Sequence, residues 1–276
     1  MVAKDAMAPP APDRANGDLL PRIASAAVLA PAALAIAYVG APIFEIALAA
    51  VAGILAWEWT RLCDSRRPAL LMILLTLVAV IAVGAVVADK PRYAALVIPV
   101  GAAAAFLAEG SERRLWMMGG AAYIALPLAA LEWIRVSTPA GRDLVVWILL
   151  VVWASDTFAY IVGRTVGGPK LAPAISPKKT WAGLFGACAG AAAAGAIVAL
   201  AMGARELAVA AALAAGLGVL GQGGDLLESS VKRHFHVKDA SGIIPGHGGL
   251  LDRMDALLAA VLGVAVARLA GWHGGG

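Results

Sequence analysis

The chain has 276 residues, 61% of them hydrophobic and only 14% charged, with a formal net charge of +4 and a mean hydropathy of +0.83. Soluble domains carry about a quarter charged residues, so a soluble globular fold is excluded, and no stretch is left over for a separate soluble domain. An integral membrane protein remains, with one membrane domain at 20–276, membrane lipids as its surroundings and no nucleic acid among its expected partners.

Residues 1–19 are polar, mixed in charge and rich in Ala and Pro, the composition of a disordered tail. They lack the basic, apolar, small-residue order of a cleaved signal, so the first span is expected to persist. A helix needs about 20 apolar residues to cross ~30 Å of hydrocarbon. Nine stretches meet that need, at 22–40, 42–59, 68–88, 93–109, 115–134, 144–163, 181–202, 206–223 and 252–271, the one at 93–109 being short enough to tilt or to span only in part. The expected fold class is an all-α polytopic membrane protein of about nine transmembrane helices. Gly186 and Gly190 form a GxxxG in the seventh span, and Gly216, Gly218 and Gly221 thin the eighth; such faces let helix backbones approach closely. Trp116, Trp133, Trp147 and Trp272 lie near span ends, as interfacial aromatics do. Cys63 and Cys188 suggest neither a disulfide nor a metal ligand pair.

Lysine and arginine are retained in cytoplasmic loops. Of the 22 basic residues, sixteen fall in the N-terminal tail and the connections at 60–67, 110–114, 164–180 and 224–253, and six (Lys90, Arg92, Arg135, Arg142, Arg205 and Arg268) on the opposite side. This split puts the N-terminus in the cytoplasm and the C-terminus outside.

The conspicuous polar residues converge on the same positive side. Asp156 sits in the sixth span, in VVWASDTFAYIVGR; Ser176-Pro177-Lys178-Lys179-Thr180 opens the seventh; Asp225 and Glu228 close the eighth; Asp252, Arg253 and Asp255 open the ninth. Intramembrane ionisable groups are functional by default, although Asp156 could instead pair with Arg164. One cytoplasm-facing polar site is the natural reading. Asp225 and Glu228, like Asp252 and Asp255, are three apart and share a helix face. Two antiparallel spans ending side by side could bring Asp225 and Asp252 together around one or two Mg²⁺ ions, a metal that takes carboxylates plus substrate phosphates. Asp252 also has a plainer role open to it, as an acid capping a helix start. An acid at the C-terminal end of a helix opposes the dipole, so Asp225 needs another reason to be there. Lys232, Arg233 and Lys238 alone would suit an ordinary headgroup-facing loop. Interleaved with the acids and with Gly246-His247-Gly248-Gly249, they point to phosphate chemistry. Lys178 and Lys179 are expected at a helix start, where anions are favoured. His234 and His236 read as filler on an amphipathic helix.

The segment Ser229–Asp255, written S-x-V-K-R-x4-K-D-x-S-x2-I-P-x-H-G-G-L-x-D-R-M-D, resembles the signature of the phosphatidate cytidylyltransferase (CDP-diacylglycerol synthase) family, without departure across its 27 positions. The stretches SDTFAYIVGR, ISPKKTWAG and LLPRI at 19–23 are similar to the family as well. The resemblance implies transfer of the cytidylyl group of CTP to phosphatidate, giving CDP-diacylglycerol and pyrophosphate. It further implies Mg²⁺ dependence with room for a second cation, a bacterial-type inner membrane, and a homodimer. It makes Asp225 and Asp252 the metal ligands. Around them, Lys232, Arg233, Lys238 and Arg253 are expected to hold phosphates, and Ser176, Lys178 and Lys179 to bind CTP phosphates or the lipid headgroup. Asp239, His247 and Asp255 would organise the loop, with Asp156, Ser229, Gly248 and Gly249 also against substrate. Phosphatidate is nucleophilic at neutral pH, which accounts for a site with cations and acids but no Ser-His-Asp or Cys-His arrangement. Two rivals stand. One is a CTP-dependent kinase or cytidylyltransferase for a polyprenol- or archaeol-type lipid. The other is a transporter, which would show paired repeats and a midplane site; no second copy of the 229–255 motif occurs.

Overall fold

The computed structural model describes residues 19–110, 112–244 and 248–272. Residues 1–18 of the tail expected at 1–19, and His247, lie outside the described residues. Among the described residues nine helices follow in order: α1 (Leu19–Val39), α2 (Ile43–Leu62), α3 (Pro68–Val87), α4 (Pro91–Ala108), α5 (Arg114–Val136), α6 (Gly141–Thr165), α7 (Trp181–Ala201), α8 (Leu207–His234) and α9 (Leu251–Leu269). Pro68 and Pro91 stand at the first positions of α3 and α4, where the missing N–H is no loss. Thr180 caps α7, its hydroxyl accepting from Gly183 N at 3.1 Å. By length and apolarity α2–α8, seven helices, qualify as membrane spans. The described apolar part of α1, Ser25–Val39, is shorter, and α9 carries Asp252, Arg253, Asp255 and Arg268 within its 19 residues. The protein is therefore a polytopic all-α membrane protein.

Between α6 and α7 the chain forms a feature the sequence did not suggest, a two-stranded antiparallel hairpin of β1 (Lys170–Ala172) and β2 (Ser176–Thr180). Ser176, Lys178 and Lys179 therefore sit on a strand that leads into α7, not on the first turn of a helix.

Packing follows the small residues. Helix α7 lies between α6 and α8, and α9 packs against α8, α5, α6 and α2. A Cβ on Gly190 would come within 2.5 Å of Phe158 in α6, and one on Gly224 within 2.5 Å of the Asp255 carbonyl in α9. The glycine faces thus hold α6–α7 and α8–α9 at close range, as small-residue interfaces do in lipid. Trp147 is a correction to the interfacial reading: it is buried, donates to the Gly195 carbonyl at 2.9 Å, and stacks near Trp272. Its indole N–H is satisfied by a neighbouring helix in place of headgroups. Cys63 and Cys188 are free.

At the end of the bundle where α2 and α4 finish, Glu109 ties two connections together. It accepts from the Ser65 hydroxyl and from the backbone of Arg66 and Gly110, and Asp64 pairs with Arg113 at 2.6 Å. Burial opposes ionisation of Glu109, but these hydrogen bonds and the Arg113 charge outweigh it and hold the carboxyl below its ordinary range.

Candidate active site

Helix α8 continues unbroken to His234, eleven residues beyond the apolar stretch that ends at 223. Hydropathy stops at the membrane boundary; the hydrogen-bond ladder does not. Two i,i+4 links support the extension, Ser229 Oγ to Asp225 Oδ1 at 3.2 Å and Lys232 Nζ to Glu228 Oε2 at 2.6 Å. Lys232, Arg233 and His234 fill the last turn, where cations suit the macrodipole. Ser229, Lys232 and Arg233 are thus helical residues, and Asp225 stands more than two turns inside the helix, so the dipole argument about it falls away.

Helices α8 and α9 run antiparallel, and their register decides which acids meet. Asp225 lies in electrostatic reach of Asp255 and of Asp156 on α6, while Glu228 faces Asp252. Four carboxylates, two per helix, therefore line the seam between the two helices, with Asp225 and Asp252 belonging to different pairs. Two lysines are set among them. Lys179, turned inward by the strand alternation of β2, places Nζ 2.8 Å from Asp225 Oδ2 and donates to the Gln222 carbonyl at 3.3 Å. Lys232 lies between fully buried Glu228 and Asp252 Oδ1. Lys178, the outward neighbour on β2, is exposed. Arg233 donates to the Ile175 carbonyl at 3.3 Å and so pins the hairpin turn to the end of α8. Arg253 is exposed and acts electrostatically on Asp156, whereas Arg164 turns away to Tyr160 at 2.6 Å, which removes the Asp156–Arg164 alternative. Lys238 and Asp239 are exposed on the loop after α8. His234 is packed against Trp116 and Phe235.

The loop from Phe235 to Leu250 is organised by two acids. Asp252 Oδ2 accepts from Gly249 N at 2.8 Å and Ala240 N at 3.1 Å, so both of its oxygens are engaged: from the first turn of α9 it ties down the preceding loop as well as meeting Lys232. The second acid, Glu58 on α2, carried no signal in the sequence. It is completely buried and accepts from Leu250 N at 2.9 Å, Leu251 N at 2.6 Å and the Ser241 hydroxyl. Gly248 has φ +84°, and a Cβ on Gly249 would lie 2.7 Å from Glu58 Oε1 and 3.0 Å from Asp252 Oδ2. These two glycines let the backbone close on the carboxylates; a larger residue would push the loop off its anchors. Tyr123 on α5 was also missed: its hydroxyl is buried, within electrostatic reach of Asp225, Glu228 and Asp255, and its ring packs on Trp59.

Among the described residues no three His, Cys, Asp or Glu side chains converge as a ready-made metal site. The donor set nevertheless suits Mg²⁺, which takes one or two carboxylates and completes its shell with water and substrate phosphates. The lysine ammonium groups seated on Asp225 and Asp252 stand where those carboxylates already accept a cation.

A model of the Cytidylyltransferase family matches residues 20–269. The chain belongs to that family. It is 35% identical over 256 residues to the phosphatidate cytidylyltransferase of Brucella abortus (strain 2308), covering 88% of this chain and 90% of the relative. Two further phosphatidate cytidylyltransferases are similar over shorter lengths. That of Bacillus subtilis (strain 168) is 39% identical over 127 residues, 43% of this chain and 44% of its own. That of Haemophilus influenzae is 40% identical over 134 residues, 44% of each. The cytidylyltransferase match takes in every helix and the hairpin, so the carboxylate seam and its lysines lie within it.

Proposed function

We propose that this chain transfers the cytidylyl group of CTP to phosphatidate, releasing CDP-diacylglycerol and pyrophosphate, in the service of phospholipid synthesis. The observation that carries the reading is the seam of Asp225, Glu228, Asp252 and Asp255 with Lys179 and Lys232 set into it, inside a chain whose residues 20–269 match the cytidylyltransferase family. A phosphate oxygen of phosphatidate bonds to the α-phosphorus of CTP, and the bond from that phosphorus to the β-phosphate bridge breaks, its electron pair leaving with pyrophosphate. Two anions must meet, so charge neutralisation and alignment are the main demands on the protein. Mg²⁺, with Asp225 and Asp252 as its ligands and a second cation beside it, supplies Lewis-acid neutralisation of the phosphates when bound.

The chain's own residues do the rest. Lys179 and Lys232 hold the carboxylates of the seam, and their ammonium groups would serve substrate phosphates were a metal to take those carboxylates. Arg233, Lys238 and Arg253, with Lys178 and Ser176 on the hairpin, form the basic rim for triphosphate and headgroup. Asp156, Ser229, Gly248 and Gly249 shape the floor, Asp255 stands with Asp225 in the seam, and Asp239 and His247 belong to the signature loop as groups that meet substrate. The 16-to-6 division of basic residues supports nine spans with the site and N-terminus in the cytoplasm and the C-terminus outside a bacterial-type inner membrane. A homodimer is part of the same proposal.

Incubation of purified protein with α-labelled CTP, Mg²⁺ and phosphatidate tests the reaction. Labelled cytidine should enter the lipid phase while pyrophosphate appears in equal amount. Release of CDP, with phosphate entering the lipid, would overturn cytidylyl transfer in favour of a kinase.

A further inference from the structure

One buried hydroxyl stands at the back of the carboxylate seam with nothing to bond. Tyr123 Oη, on α5, is shielded from solvent and has no hydrogen-bond partner among the described residues. Its ring is held in place 5.2 Å from the Trp59 ring. Trp59 is itself fixed: its indole N–H donates to the Trp116 carbonyl at 3.0 Å, and it packs so closely on Gly120 that a Cβ there would lie 2.2 Å from Nε1. A buried tyrosine hydroxyl ordinarily finds a partner, and one left without destabilises the protein that holds it.

Depth in the bundle narrows the choice of acceptor. Trp116, near the start of α5, packs on His234 and Phe235 at the end of α8, with ring centroids 4.8 and 5.4 Å apart. Tyr123 is two turns along α5 from Trp116, and Glu228 is just under two turns back along α8 from His234. Both therefore lie roughly 10 Å from that contact, at about the same level. Of the seam acids, Tyr123 is within electrostatic reach of Asp225, Glu228 and Asp255. Asp225 already meets Lys179 and Ser229, and Asp255 accepts from the Ala256 N–H at 2.8 Å. Glu228 differs from them. It is completely buried, its Oε1 accepts no hydrogen bond among the described residues, and its Oε2 meets Lys232 Nζ at 2.6 Å. Lys232 is shared with Asp252. Were Lys232 to turn to a substrate phosphate, Glu228 would become a buried carboxylate without its cation, a strongly destabilised state. The Tyr123 hydroxyl is a donor at that level with no existing bond to break.

We propose, resting on the cytidylyl-transfer reading of the seam, that Tyr123 is a positioning residue: its hydroxyl donates to Glu228 Oε1 once the phosphates of CTP engage Lys232, and so holds that acid in place while the lysine serves substrate.

Two measurements on the full-length protein in detergent test this: CTP affinity in the presence of Mg²⁺, and melting temperature without either. Tyr123→Phe removes one oxygen and leaves the ring on Trp59. Without CTP it should melt no lower than wild type, since the hydroxyl bonds to nothing there. It should bind CTP about tenfold more weakly, as loss of one hydrogen bond to a charged group requires. In a Glu228→Gln background, where the acceptor is neutral, the same substitution should cost only about threefold. A structural role gives the reverse pattern, a lower melting temperature with CTP affinity intact. Unchanged CTP affinity in Tyr123→Phe would overturn the proposal, as would a lowered melting temperature without CTP or a tenfold loss undiminished in Glu228→Gln. Binding is read without turnover, so wild-type protein that binds CTP yet transfers no cytidylyl group would sink the reaction assigned to the seam and leave the comparison of variants decisive.

Discussion

Glu58 offers the sharpest test of how the signature loop is held. Its buried carboxylate accepts from Ser241, Leu250 and Leu251, residues more than 180 positions away in the chain. Hydrogen bonds to a charged group contribute about 1.5–3 kcal/mol each. Replacing the side chain by Ala leaves two backbone donors and a hydroxyl without their acceptor, so about 4–5 kcal/mol is at stake if each counts at the low end of that range. This energy bears on a local element: the loop before α9 and the first turn of α9, which also fix Asp252. Glu58→Ala should therefore open the 240–251 segment before the bundle unfolds. Amide hydrogen exchange by mass spectrometry would register it as faster exchange at Leu250 and Leu251, with protection kept in α6 and α7. Glu58→Gln retains one carbonyl acceptor in place, so it should fall between the two, and its turnover should drop while its affinity for CTP changes less. Wild-type protection of Leu250 and Leu251 in Glu58→Ala would refute the anchoring role.

Three further outcomes follow from the same geometry. Asp225→Asn and Asp252→Asn should each lower cytidylyl transfer by more than ~100-fold with the helices intact by circular dichroism, as loss of a metal ligand requires; wild-type rates in either would remove that residue from the metal site. Arg268, which the charge count sets on the outer side, is buried and lies over the Trp133 ring at 5.4 Å with Thr138 at 3.4 Å. Arg268→Ala should lower stability by about 1–3 kcal/mol through lost packing and a lost cation–π contact, visible as a lower melting temperature with unchanged turnover per folded molecule; an unchanged melting temperature would count against it. Glu109→Gln should destabilise the protein at neutral pH, because the folded state holds this carboxyl below its ordinary range. That contribution is complete above the unfolded value of roughly 4 and is lost as pH falls through the lower folded value. The gap in melting temperature between Glu109→Gln and wild type should therefore close in acid, and a gap that widens there would refute the assignment.

What the sequence disclosed and what it withheld divide along physical lines. Helices were legible because the apolar runs approach or reach the length of a span and are bounded by turns or by a helix-starting proline, as at Pro68 and Pro91. The end of α8 was not, because hydropathy reports where lipid stops, and the residues that carry the helix on to His234 are polar ones paired one turn apart. The hairpin escaped for a related reason: strands of three and five residues around Pro177 leave no periodicity to read. Spacing correctly placed Asp225 with Glu228, and Asp252 with Asp255, on common faces. It could not say which acid meets which across the seam, since antiparallel register is set by Gly224 closing on the Asp255 backbone and Gly221 on Ala256. That contact sets Asp225 beside Asp255 and leaves Asp252 to Glu228 and Lys232. Glu58 lay beyond reach altogether, since its partners sit at the far end of the chain and a single buried acid in an apolar helix announces only that some partner exists.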